Sequence, residues 1–204
     1  MEAHVSSSDG RPGAAGRRGP APGKPTMAEI AGAHGKTVPD LIAPGLKVLF
    51  CGINPSLYSA AVGRHFARPG NRFWPTLHAA GFTERLLSPS EDAVLLGLGY
   101  GITNVAGRAT AAADELAADE LIAGGRLLAE KVEAYRPAVV AVLGVTAYRT
   151  AFGRKRAVLG RQDATIGGAR LWVLPNPSGL NAHYQLAGLA ELYKEMRLAV
   201  ESRA

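Results

Sequence analysis

Two asparagines, each followed by proline, stand at the ends of apolar runs. Asn54 closes Lys47-Val48-Leu49-Phe50-Cys51-Gly52-Ile53, and Asn176 follows Leu171-Trp172-Val173-Leu174-Pro175 and continues as Pro177-Ser178-Gly179-Leu180-Asn181. A following proline biases each asparagine toward extended backbone, which holds the carboxamide at a strand tip instead of folding it into a helix. In an α/β protein the loops leaving the carboxyl ends of parallel strands form the site, so the two amides are expected to converge on one pocket. A carboxamide orients a water or a leaving group but has no useful pKa and is no strong general base. Cleavage of an N-glycosidic bond suits such a group. The base departs first as a stabilised anion, the sugar becomes oxocarbenium-like, and the water need only be well placed. Backbone N–H groups of residues 52–57 are candidates for stabilising that anion. A single isolated Asn-Pro pair is better explained as a simple turn.

These amides need a sheet to carry them. Residues 47–51 read as a strand, 71–80 as a helix, the stretch after Pro89 as a short helix and 101–104 as a short extended piece. The longest helical pattern covers 119–135, where Leu121, Leu127, Leu128, Val132 and Tyr135 recur at helical spacing before Arg136-Pro137 ends it. Residues 139–143 form an apolar run of the kind buried on both faces of a parallel sheet. A helix at 145–152, a strand at 170–174 and a closing amphipathic helix at 182–203 follow. Strand and helix alternate throughout, which predicts an α/β three-layer sandwich with a mostly parallel central sheet flanked by helices.

The chain of 204 residues fits one domain plus a tail. Residues 1–26 are rich in Gly, Pro, Ala, Ser and Arg and poor in large apolar side chains, so they are expected to form a disordered basic tail, with residues 27–204 as one catalytic domain. The tail's Arg11, Arg17, Arg18 and Lys24 against Glu2 and Asp9 carry +2 of the formal +6, so the body is only modestly basic. That balance suits a polyanionic partner without requiring one. No apolar run has the length of a membrane span, the N-terminus lacks a secretory pattern, and the single cysteine, Cys51, permits no internal disulfide. A cytoplasmic setting and no membrane partner are expected.

The segment Gly52-Ile53-Asn54-Pro55-Ser56-Leu57 continues through Gly63-Arg64-His65-Phe66-Ala67-Arg68-Pro69-Gly70-Asn71-Arg72-Phe73-Trp74. It resembles the first motif block of the mismatch-specific uracil-DNA glycosylases, bacterial relatives of thymine-DNA glycosylase. Asn176-Pro177-Ser178-Gly179-Leu180 resembles their second motif, Tyr100-Gly101-Ile102-Thr103-Asn104 is similar as well, and the likeness runs from about Leu41 into the closing helix. The resemblance implies that Asn54 positions the hydrolytic water and that Phe66 stacks on a base flipped out of the duplex. Ile53 and the backbone near Phe66 would bind the uracil edge, with Ser56, Ser59 and Asn104 lining the pocket. Asn176, Ser178, Gly179, Leu180 and Asn181 would supply the DNA-binding wedge that fills the vacated stack and reads the opposite guanine. The implied partner is double-stranded DNA carrying uracil mispaired with guanine, and the implied product an abasic site.

Four positions depart from relatives. Ser56 stands where this family has glycine, and Ala182 where some members present arginine. Asn176 replaces a histidine found in the main uracil-DNA glycosylases, and Asn54 an aspartate used by the fastest relatives. Loss of a donor to the departing anion costs about 10²-fold or more, so slow turnover is expected. No lysine lies in either motif, so water and not an amine attacks, and a monofunctional enzyme is expected.

Arg64, Arg68 and Arg72 flank the first motif and are candidate phosphate contacts; Arg154, Lys155, Arg156 and Arg161 form a second basic run that reads more simply as a solvated face. Gly97-Leu98-Gly99-Tyr100-Gly101 is half of a dinucleotide fingerprint without its third glycine, and the five histidines have no metal-ligand spacing. No cofactor and no metal are expected, and a monomer is the default. Two other readings stay open: a superfamily branch with a different base or strand preference, hypoxanthine for instance, and a damage-recognition module with little turnover.

Overall fold

Every residue of β1 (Val48–Gly52) and β3 (Val139–Leu143) is buried, as strands covered on both faces must be. In this computed structural model, which describes residues 24–202, they form the centre of a five-stranded sheet. Its order is β2-β1-β3-β5-β4, with β2 at Tyr100–Asn104, β4 at Gly160–Ile166 and β5 at Ala169–Leu174. All neighbours run parallel except the β4–β5 pair. After β1 the chain adds a strand on one side and then crosses to the other, so the crevice between β1 and β3 is the topological switch point where α/β sheets bind ligands.

Side-chain alternation divides the core in two. Val48, Phe50, Ile102, Val139, Ala141, Trp172 and Leu174 face helices α3 (Phe73–Ala79) and α7 (Leu186–Glu201). Leu49, Cys51, Val140, Val142, Leu171 and Val173 face α5 (Ala118–Tyr135) and α6 (Val145–Ala151). The result is the three-layer sandwich with a mostly parallel sheet. Shorter helices, α1 (Met27–Ala31), α2 (Leu57–Val62) and α4 (Val94–Gly97), connect these layers. Among the described residues, no helix is long and apolar enough to cross a membrane.

Three elements differ from the sequence reading. The helix α2 begins immediately after the first Asn-Pro turn. The strand β4 is an additional edge strand, whose polar, alternately exposed residues pair only with β5 across a Gly167-Gly168 turn. The closing helix starts at Leu186 instead of 182, because residues 178–185 are held in a loop by other bonds. The proposed tail lies outside the described residues except for 24–26. There Thr26 accepts a hydrogen bond from Glu29 N and its own N–H donates to the Glu29 carboxylate, a capping box that starts α1.

Candidate active site

The loops after β1, β2 and β5 meet in one pocket. It is lined by Ile53, Asn54, Ser56, Ser59, Phe66 and Asn104 of the first group and by Asn176, Ser178 and Leu180 of the second. Its volume of about 110 Å³ is well below the roughly 300 Å³ at which sites for drug-sized ligands begin, so it suits a single small ring better than a dinucleotide.

Asn54 is fixed by the loop after β2. Its Nδ2 donates to Arg108 O at 3.1 Å and to Thr110 Oγ1 at 2.7 Å. A main-chain carbonyl can only accept, so the amide orientation is dictated and Oδ1 is left as the acceptor for a water. Thr110 is buried and passes its own hydroxyl proton to Ala112 O at 2.7 Å. Arg108 is anchored by a bidentate pair with Glu120 at 2.5 and 2.7 Å, and that guanidinium together with the Ala117 N–H lowers the Glu120 carboxyl to about 2. Nothing in the sequence marked Thr110 or Arg108, since the loop carrying them has no recognisable pattern.

The opposite wall is built around Gly52. A Cβ at this position would lie 2.5 Å from Asn104 Oδ1 and 3.2 Å from Phe66 Cζ, so only glycine lets both side chains close over the end of β1. Phe66 has a left-handed backbone, φ 53°, and its ring stacks on Phe73 with centroids 4.0 Å apart. Ser59 holds this turn by accepting from Ala67 N at 3.0 Å. Buried His65 has Nε2 at 3.0 Å from Pro39 O, which requires an N–H there and leaves Nδ1 as acceptor for Asn104 Nδ2 at 3.4 Å. Asn104 Oδ1 is thereby aimed toward Gly52. His65 sits inside the first motif block, where only its lack of metal spacing drew notice.

Ser56 N-caps α2 with φ −71°, a conformation open to any residue. Its Oγ accepts from Ser59 N and donates to Ser59 Oγ, so the side chain is engaged in the helix start.

The second motif is a chain of local bonds. Asn176 Oδ1 accepts from Ser178 N, Asn181 Nδ2 donates to Asn176 O, and Ser178 Oγ accepts from Leu180 N. A Cβ on Gly179 would lie 2.5 Å from Gly70 O, so glycine permits this loop to rest directly on the first-motif backbone. Leu180 is 71% exposed beside the pocket.

The three candidate phosphate arginines separate. Arg68 is exposed and lines the pocket. Arg64 is instead buried and paired with buried Asp92 at 2.7 Å. Arg72 is likewise turned inward: Nη2 donates to Ser178 O and Asn181 O, Nη1 to Tyr184 O, and its backbone N–H to Pro177 O. Arg64 and Arg72 thus direct their guanidinium groups to partners within the fold, and Arg68 alone of the three faces solvent at the pocket. A cationic residue near a motif can find its acceptors inside the fold.

Among the described residues no group of three or more His, Cys, Asp or Glu is arranged to hold a metal ion. Cys51 is fully buried beside the site, and burial pushes its thiol above the ordinary range, so it is no nucleophile at neutral pH.

Residues 39–198 match the family model described as the uracil DNA glycosylase superfamily. This span contains both Asn-Pro loops, the pocket they share and all five strands, and the chain belongs to the uracil DNA glycosylase superfamily, enzymes that remove uracil from DNA.

Proposed function

We propose that this protein is a monofunctional glycosylase that hydrolyses the N-glycosidic bond of uracil, and of larger modified pyrimidines, mispaired with guanine in double-stranded DNA. The observation that carries this reading is the pinned carboxamide of Asn54. Both of its donated bonds go to the Arg108–Thr110 loop, so Oδ1 is presented as a preset acceptor for one water. The flipped base would lie on the Phe66 ring, with Asn104 meeting its edge and Ile53 at its side. As the C1′–N1 bond breaks, its electron pair leaves with uracil as an anion. Water held by Asn54 adds to C1′, its proton passes to solvent, and the uracil anion is later protonated.

A pocket without an ionised base or a histidine at Asn176 offers modest stabilisation to the departing anion. Such an enzyme gains most where extrusion is already cheap, and a wobble-paired uracil leaves the stack more easily than one paired with adenine. Exposed Leu180 supports the same reading, because an apolar side chain beside the pocket is suited to fill the vacated stack.

The deciding experiment is single-turnover excision from oligonucleotides carrying uracil opposite guanine, uracil opposite adenine, and uracil in a single strand. Fastest release opposite guanine is expected. Equal release from all three would move the protein to a broader branch of the superfamily, and duplex binding without release would make it a damage-recognition module.

A further inference from the structure

Three cations stand together on the flank of the sheet, away from the pocket lining. Arg154, Lys155 and Arg156 follow one another in the connection between α6 and β4, and all three are exposed. None of these three side chains makes a hydrogen bond or ion pair among the described residues, and the only carboxylate lining their groove is Asp163. The other described basic clusters are largely neutralised, as in Arg64–Asp92, Arg85–Glu91, Arg108–Glu120 and Arg197–Glu201. Three consecutive unpaired cations repel one another, and a bound polyanion relieves that repulsion.

Topology roots this connection at the active-site end of the sheet. It begins with α6, which starts after Gly144; a Cβ on Gly144 would lie 3.1 Å from Ile53 Cδ1 and 4.0 Å from Asn176 Cβ. It ends at Gly160, which is in register with Val173, three residues before Asn176. Because β4 is antiparallel, both ends of the connection lie at the carboxyl edge of β3 and β5. The helix α6 has seven residues and is about 10 Å long, so the basic loop hangs within one short helix of the pocket rim. Arg149 on α6 braces it by donating Nε and Nη2 to Ala157 O at 2.9 and 2.6 Å.

We infer that the Arg154–Lys155–Arg156 loop is a phosphate-binding surface that grips the DNA backbone to one side of the flipped nucleotide. It rests on the proposed reading only in taking duplex DNA as the partner. Contacts of this type position the duplex without reading its sequence. They also release counterions, so each adds about 0.9 to the slope of log affinity against log salt.

The test is the salt dependence of binding to an undamaged duplex and to a duplex with uracil opposite guanine, for the native chain and R154Q/K155Q/R156Q. A control, R126Q/K194Q, removes exposed charge from α5 and α7. The expected result is a slope reduced by about 2 to 3 in the triple variant on both duplexes and little changed in the control, with the saturating single-turnover excision rate unaltered. An unchanged slope in the triple variant, or an equal loss in the control, overturns the surface. If the native chain excises nothing yet the slope still falls, the excision reading fails and the phosphate surface stands.

Discussion

The two Asn-Pro loops are held in opposite ways. The first is braced from within: Asn54 by Arg108 and Thr110, Phe66 by Phe73 and Ser59, Asn104 by His65, with Ser59, His65 and Thr110 all buried. The second is exposed at Gly179 and Leu180 and depends on the guanidinium of Arg72, which holds three of its carbonyls. The first loop is fixed by redundant contacts to several elements, whereas the second combines short internal bonds with the guanidinium of one side chain from the other loop. Arg72 thus joins the two motifs mechanically.

The largest effect should come from the rigid loop. Asn54→Ala is expected to lower the single-turnover excision rate by about 10²- to 10³-fold, with duplex affinity retained in a gel-shift measurement. Breaking the connection between loops should act on stability first. Arg72→Ala removes charged hydrogen bonds to three carbonyls and is expected to cost on the order of 2–3 kcal/mol in urea unfolding, with weaker duplex binding.

Leu180→Ala sharpens the contrast from the other side. Its side chain is exposed, so stability should not change, but excision from a duplex should fall about tenfold, roughly 1.4 kcal/mol of barrier, with little loss on single-stranded substrate. The smallest effect belongs to Glu120→Gln, which loosens the Arg108 anchor and should slow excision less than about fivefold. Its acid signature is more informative. The Glu120 carboxyl in the fold is lowered to about 2, so its contribution to stability is full above the ordinary carboxylate value of 4.5 and is lost as pH falls toward 2. Acid unfolding followed across that window should show a shallower loss in E120Q than in the native chain.

Continuous apolar runs made β1, β3 and β5 legible, and the periodic Leu121, Leu128 and Val132 placed α5 to within a residue. β4 escaped notice because an edge strand buries one face only, and residues 160–166 are mostly polar; the Gly-Gly pair after it was the available turn signal. The convergence of Asn54 and Asn176 followed from strand tips and proline geometry. Thr110 did not, because a hydroxyl in an irregular loop acquires its role only when the fold brings it 56 residues back along the chain to Asn54. The arginines taught the reverse lesson: Arg64, Arg68 and Arg72 look alike as letters, and only the location of Asp92 and the carbonyls of the second loop tells them apart.

Phe66 adopts a left-handed backbone that a non-glycine residue enters at a cost of about 1–2 kcal/mol, and the bond from Ala67 N to Ser59 and the stack on Phe73 hold it there. The folding reaction has therefore already met the expense of presenting the aromatic platform. On the proposed function, arrival of a base need not reshape the wall, and recognition becomes a matter of which nucleotides escape the helix long enough to be trapped. Selectivity then resides as much in the breathing of the DNA as in the protein, and lesions of different shape should compete in the order in which they unstack.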